Sequence, residues 1–162
     1  MRKFYFGAVF ILSLILLGTL AHAFGLIGLG SWREITYLGT NMDFTNWSDD
    51  DPVGWTVYGE SGSDPMVTEV SGAARMYTSS AYVDITQAMI MDGLSCHITL
   101  DYTHVSGSFV IGSTDGGSDI KVIDSSDDDG PFDFTGAGDV LCIKRNTLPA
   151  DGTFDNILVW CD

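Results

Sequence analysis

From Cys96 to Thr103 apolar and polar side chains alternate without interruption. Ile98, Leu100 and Tyr102 fall on one parity, and His97, Thr99, Asp101 and Thr103 on the other. Successive strand residues point to opposite faces, so this run, extended to His104, predicts a strand buried on one side and wetted on the other, as in an antiparallel sheet. Further strands are predicted over Glu34–Leu38, Gly54–Tyr58, Met66–Val70, Ala74–Thr78, Tyr82–Met91, Ser108–Ser113, Ile120–Ile123, Phe132–Thr135, Val140–Arg145 and Phe154–Cys161. They recur about every 8–12 residues, the spacing of a sandwich or barrel. Gly-, Asp-, Ser- and Pro-rich pieces separate them, such as residues 48–52, 61–65, 114–118 and 124–130. No segment of helical period follows residue 30. The expectation is an all-β fold: one antiparallel β-sandwich domain over residues 34–162.

The N-terminus has a different pattern. Arg2 and Lys3 precede an almost wholly apolar run from Phe4 to Leu20, closed by Ala21, His22 and Ala23. A basic start, an apolar run and a small-x-small site describe a secretory signal peptide over residues 1–23, cleaved after Ala23. Residues 24–33 form an apolar arm. Retention of both segments as a membrane anchor is the alternative, because Phe4 to Leu29 is long enough to span a bilayer. The expected location is secreted or extracellular, with membrane contact only if the N-terminal segment is retained.

Charge narrows the partners. The chain carries 7 Lys+Arg against 22 Asp+Glu. Removing residues 1–23 takes away Arg2 and Lys3 and no acid, leaving 5 bases against 22 acids, a net charge of −17. Nucleic acid is excluded as a partner, since phosphate contact needs clustered Lys and Arg. An acidic polysaccharide would be repelled as well. Nineteen of the acids are aspartate, a residue of turns and caps, so the Asp runs read first as solvated loops; oxygen ligation of a hard cation is the competing reading.

Three cysteines follow the signal segment: Cys96, Cys142 and Cys161. Asp151 and Gly152 are a hairpin signal. Cys142 and Cys161 stand nine positions to either side of that dipeptide, so a turn there would set them opposite each other. The expectation is a Cys142–Cys161 disulfide with Cys96 unpaired. Strand parity meanwhile puts Cys142 on the same face as Lys144.

A resemblance extends over about residues 38–160. Asn41, Met42, Asp43 and Phe44, then Trp47, then Pro52 to Trp55, resemble the "N-G-D-F … W … P-D-G-W" opening of secreted carbohydrate-binding modules of the galactose-binding-like jelly-roll type. Ile85 to Gln87, Ser95 to Tyr102, Phe134 to Gly136, Leu141 to Arg145 and Phe154 to Ile157 are similar to later motifs of that family, in the same order. Met42 replaces the usual Gly, and Thr45 stands where many members carry a calcium-binding Glu. The resemblance implies a jelly roll with Trp55 in its core. It also implies a structural Ca²⁺ held by Asp155 with Asn41 and Asp43.

Sugar recognition needs an aromatic ring and planar hydrogen-bonding groups. Arg75 and Tyr77 share a strand parity opposite to Ala74 and Met76, which assigns them to the solvent face. If the Cys96 and Val140 strands lie beside them, His97, Asp101 and Lys144 join that surface, and Trp47 lies in a nearby loop. No nucleophile motif, phosphate loop or His/Cys metal cluster is present. The expected function is a non-catalytic module binding an uncharged extracellular or cell-surface glycan. The alternative is a self-assembling structural or adhesive subunit of a fibre, coat or surface layer.

Overall fold

The computed structural model describes residues 37–60, 66–126 and 128–162. The expected signal peptide, the expected apolar arm and the start of the first expected strand lie outside the described residues. Among the described residues thirteen strands follow in order: β1 (Tyr37–Leu38), β2 (Trp47–Ser48), β3 (Asp51–Pro52), β4 (Thr56–Tyr58), β5 (Val67–Val70), β6 (Ala73–Thr78), β7 (Asp84–Ala88), β8 (Ser95–Ser106), β9 (Phe109–Gly112), β10 (Lys121–Ile123), β11 (Phe132–Thr135), β12 (Val140–Arg145) and β13 (Ala150–Cys161). All pair antiparallel in two packed sheets plus the β2–β3 hairpin.

One sheet runs β11-β8-β13-β6-β5, with β1 pairing the far half of β13; the other runs β10-β9-β12-β7-β4. Number β6 to β13 as eight consecutive strands. Their order is then first-eighth-third-sixth in one sheet and second-seventh-fourth-fifth in the other. This is the jelly-roll order, in which the chain keeps crossing between two sheets. The expected antiparallel sandwich is therefore the fold.

Alternation places the core. Cys96, Ile98, Leu100 and Tyr102 of β8 are buried, while the residues between them are partly or fully exposed. On β6 Ala74 and Met76 are buried. Phe154 of β13 lies 5.0 Å from the Tyr102 ring and 5.1 Å, edge to face, from Phe109 of β9, an arrangement aromatic quadrupoles favour. Trp55 is also buried, stacked on Phe44 at 5.2 Å, with its indole N–H donating to the Asn41 carbonyl.

The disulfide is a correction. The bridge joins Cys96 to Cys161, with Cα atoms 4.0 Å apart, and Cys142 is free and buried. No turn occurs at Asp151 and Gly152, because β13 already starts at Ala150. Gly152 is a glycine of close approach: a Cβ there would sit 2.6 Å from the Tyr102 ring. Cys142 lies on β12, in the opposite sheet from β13, whereas Cys161 is in direct register with Cys96 on β8.

Candidate functional site

Arg75 and Tyr77 occupy the outer face of the β8-β13-β6 region. Opposite them across the ladder stand Thr153 and Asp151 of β13, and opposite Thr153 stands Thr103 of β8. The Arg75 guanidinium grips Asp151 through two parallel bonds, Nε to Oδ1 at 2.9 Å and Nη2 to Oδ2 at 2.7 Å. Its central carbon is 5.5 Å from the Tyr77 ring centroid. The Asp151 bond pushes the Arg75 pKa further up, so the group is a permanent cation. The Tyr77 ring is 46% exposed. The arrangement offers a wetted ring beside a flat donor array whose plane is set by the Asp151 carboxylate, with threonine hydroxyls in the adjoining row.

Asp101 and His97 share this face but lie further along β8. Asp101 is two residues from Thr103, roughly 7 Å, and His97 is six residues away, roughly 20 Å. Asp101 accepts a bond from Asn156 Nδ2 at 2.8 Å, at the bulge where β13 shifts register. The His97 ring stacks on Trp160 at 5.2 Å and its Nδ1 meets Asp133 at 2.7 Å. That bond, aided by Asp162, pushes the His97 pKa up. His97 thus belongs to a separate cluster near the disulfide.

Lys144 is not part of this surface. It lies on β12 in the other sheet, opposite Asp84, and its ammonium donates to the Gly116 carbonyl. Tyr82 donates to the buried Asp84 carboxylate beside it. Cys142 is on that same outer face, under the loop after β9. Its register partner Gly112 lets this loop lie flat, since a Cβ there would be 2.3 Å from Gly117. Burial first, then Asp84, pushes the Cys142 thiol up to about 11.

Trp47 lies at the β5 edge of the Arg75 sheet. Its indole N–H donates to the Phe44 carbonyl, and the half-buried ring lines a cleft of about 430 Å³ with Thr45, Asp49, Asp50, Thr68 and Glu69. Thr68 stands directly opposite Arg75. The cleft therefore adjoins the Arg75 row. Asp151, Thr153, Thr103, Thr68, Thr45, Asp49, Asp50 and Glu69 are residues that sequence reasoning did not assign to the site. Asp151 was hidden by its turn-like pairing with Gly152.

The three residues implied as calcium ligands each make local hydrogen bonds. Asn41 uses both ends of its carboxamide on the Asn46 backbone. Asp43 accepts from Thr45, the residue standing where the family carries Glu. Asn41 and Asp43 line one cleft with Asn156, whereas Asp155 accepts from the Asn156 N–H and does not line it. A calcium ion takes six to eight oxygens, and among the described residues no group of three or more His, Cys, Asp or Glu is placed to hold a metal.

No protein-family model matches the chain, and no curated protein matches it.

Proposed function

We propose that the chain is a secreted, non-catalytic carbohydrate-binding module that recognises an uncharged extracellular or cell-surface glycan. One observation carries the reading: an exposed Tyr77 ring beside an Arg75 guanidinium held in one plane by Asp151. A pyranose presents an apolar C–H face and equatorial hydroxyls. Tyr77 supplies rigid stacking area at the cost of few rotatable bonds. Two of the five guanidinium donors are committed to Asp151, and Nη1 has no protein partner among the described residues. Thr103 and Thr153 add hydroxyls. The jelly roll, the ordered motif resemblance and a disulfide of the kind that persists in oxidising compartments support the same reading. Asp101 and Asp155 border the surface and disfavour polyanions. A glycan array probed with the wild type, followed by titration of the best ligand into Tyr77→Ala, tests it. The proposal expects array binding that the variant loses; an empty array defeats it.

A second reading, a structural or adhesive subunit, draws on the exposed apolar side chains Ile90 (76% exposed), Val105 and Leu158. Light scattering distinguishes the two: large ordered particles without glycan binding favour assembly.

A further inference from the structure

The outer face of the β10-β9-β12-β7-β4 sheet hides an acid. Tyr58, Asp84, Lys144, Val110 and Val122 form one row across its strands, each the direct ladder partner of the next. Asp84 is only 2% exposed. Its Oδ2 accepts the Tyr82 hydroxyl, and its Oδ1 is buried without a hydrogen-bond partner among the described residues. An unpaired carboxylate oxygen is costly to bury, and burial, ahead of any neighbour, pushes the Asp84 carboxyl up toward its neutral form. Opposite it stands Lys144, whose ammonium donates to the Gly116 carbonyl in the loop after β9. The same loop passes over Tyr82, since a Cβ on Gly116 would lie 4.0 Å from the Tyr82 hydroxyl oxygen. The amine and the acid thus lie under one roof. Cβ atoms of direct cross-strand partners are about 4.5–5.5 Å apart, so rotation of the lysine side chain about its own bonds carries Nζ to Cγ of Asp84.

We infer that Lys144 and Asp84 condense into an intramolecular amide, a covalent cross-link between β12 and β7. The ammonium starts with three protons and the carboxylate with none. One proton passes from Nζ to Oδ1, which leaves an amine facing a neutral acid. The Nζ lone pair then adds to Cγ, while the Tyr82 hydroxyl stabilises the negative charge that gathers on Oδ2. A second proton follows to Oδ1, the Cγ–Oδ1 bond breaks, and Oδ1 leaves as water. The third proton stays as the amide N–H. Net charge is zero on both sides, and no oxidant, reductant or further reagent takes part. The oxygen that departs is the one without a partner. The carbonyl that remains keeps its bond from Tyr82, and the new N–H keeps the Gly116 carbonyl as acceptor. A neutral, hydrogen-bonded amide thereby replaces a buried acid with an unpaired oxygen, which favours the bond in a site closed to water.

Mass spectrometry of the full chain, denatured and with its disulfide reduced, reads the bond. The expected mass is one water below that of the unlinked chain. Proteolysis should release a branched peptide that joins the Asp84 segment to the Lys144 segment. Lys144→Arg and Asp84→Ala should each restore the missing water, and Tyr82→Phe should leave a measurable fraction of chains unlinked. The unlinked mass in the wild type, after prolonged incubation of the folded protein, overturns the inference. A water loss that persists in Lys144→Arg overturns it as well, because cyclisation at an Asp-Gly pair such as Asp92-Gly93 or Asp115-Gly116 sheds the same mass without the lysine. The branched peptide is sought in the wild type alone, so its absence there counts against the cross-link even where a variant fails to fold.

Discussion

Arg75 on β6 and Asp151 on β13 are 76 positions apart in sequence yet meet through two parallel hydrogen bonds of 2.7 and 2.9 Å. The Asp151 side chain is only 9% exposed, so the arginine shields a carboxylate that water hardly reaches. Arg75→Ala is expected to cost roughly 1–2 kcal/mol, since the arginine is itself 43% exposed and water replaces part of the contact. In Arg75→Ala/Asp151→Ala the loss is smaller than the sum of the single losses, because the orphaned carboxylate is gone. Urea unfolding of the four proteins measures this; strict additivity would show that the two groups are not coupled.

Tyr77 and Trp55 separate recognition from folding. Tyr77→Ala removes a largely exposed ring and is expected to change stability by less than about 1 kcal/mol. Trp55→Ala empties a core position that is 7% exposed and loses its indole bond to Asn41, at roughly 3–5 kcal/mol. Thermal unfolding of both variants settles the comparison, and equal losses would mean that the Tyr77 side of β6 supports the fold rather than a ligand.

The Cys96–Cys161 bridge closes a separation of 65 residues. In the chain-entropy model such a loop contributes about 4 kcal/mol, so Cys161→Ser should lower the urea midpoint substantially. Peptide mapping without reduction should recover Cys96 linked to Cys161. Native protein should leave Cys142 unmodified by a thiol reagent near neutral pH, because the thiol is buried with its pKa raised to about 11. Rapid labelling of Cys142 without denaturant would contradict the loop cover described above.

His97 gives the stability a pH dependence of known sign. Asp133, and after it Asp162, raise the folded-state pKa of the imidazole above its unfolded value of about 6.5. The folded state thus holds the proton more tightly. The contribution is complete below the unfolded pKa and is lost as pH rises through the elevated folded one. Urea midpoints across that window should fall with rising pH in the wild type, and His97→Gln should remove that part of the slope. An unchanged slope in the variant would assign the pH dependence to other groups.

Much of the fold was legible locally. The expected strands Phe132–Thr135 and Val140–Arg145 match β11 and β12 end for end, and Cys96–His104 falls inside β8. The two-residue strands β2 and β3 escaped notice, since two residues carry no period. β13 begins four residues before its expected start at Phe154, because Asp151 and Gly152 imitate a turn while serving other ends. Asp151 answers Arg75, and Gly152 makes room for Tyr102.

What the sequence determined by itself was parity. The placing of Arg75 and Tyr77 outward, Ala74 and Met76 inward, and Ile98, Leu100 and Tyr102 in the core follows from alternation along one strand, which each segment carries in its own residues. Which strands are neighbours was decided by the tertiary structure alone. Lys144 has the parity of an outward residue yet faces away from Arg75, because β12 belongs to the other sheet. Cys161 pairs with Cys96 rather than Cys142 for the same reason. Ladder partners are fixed by closing two sheets over a common core, a condition imposed on the whole chain at once. Residues 65 or 76 positions apart meet only when that closure is made.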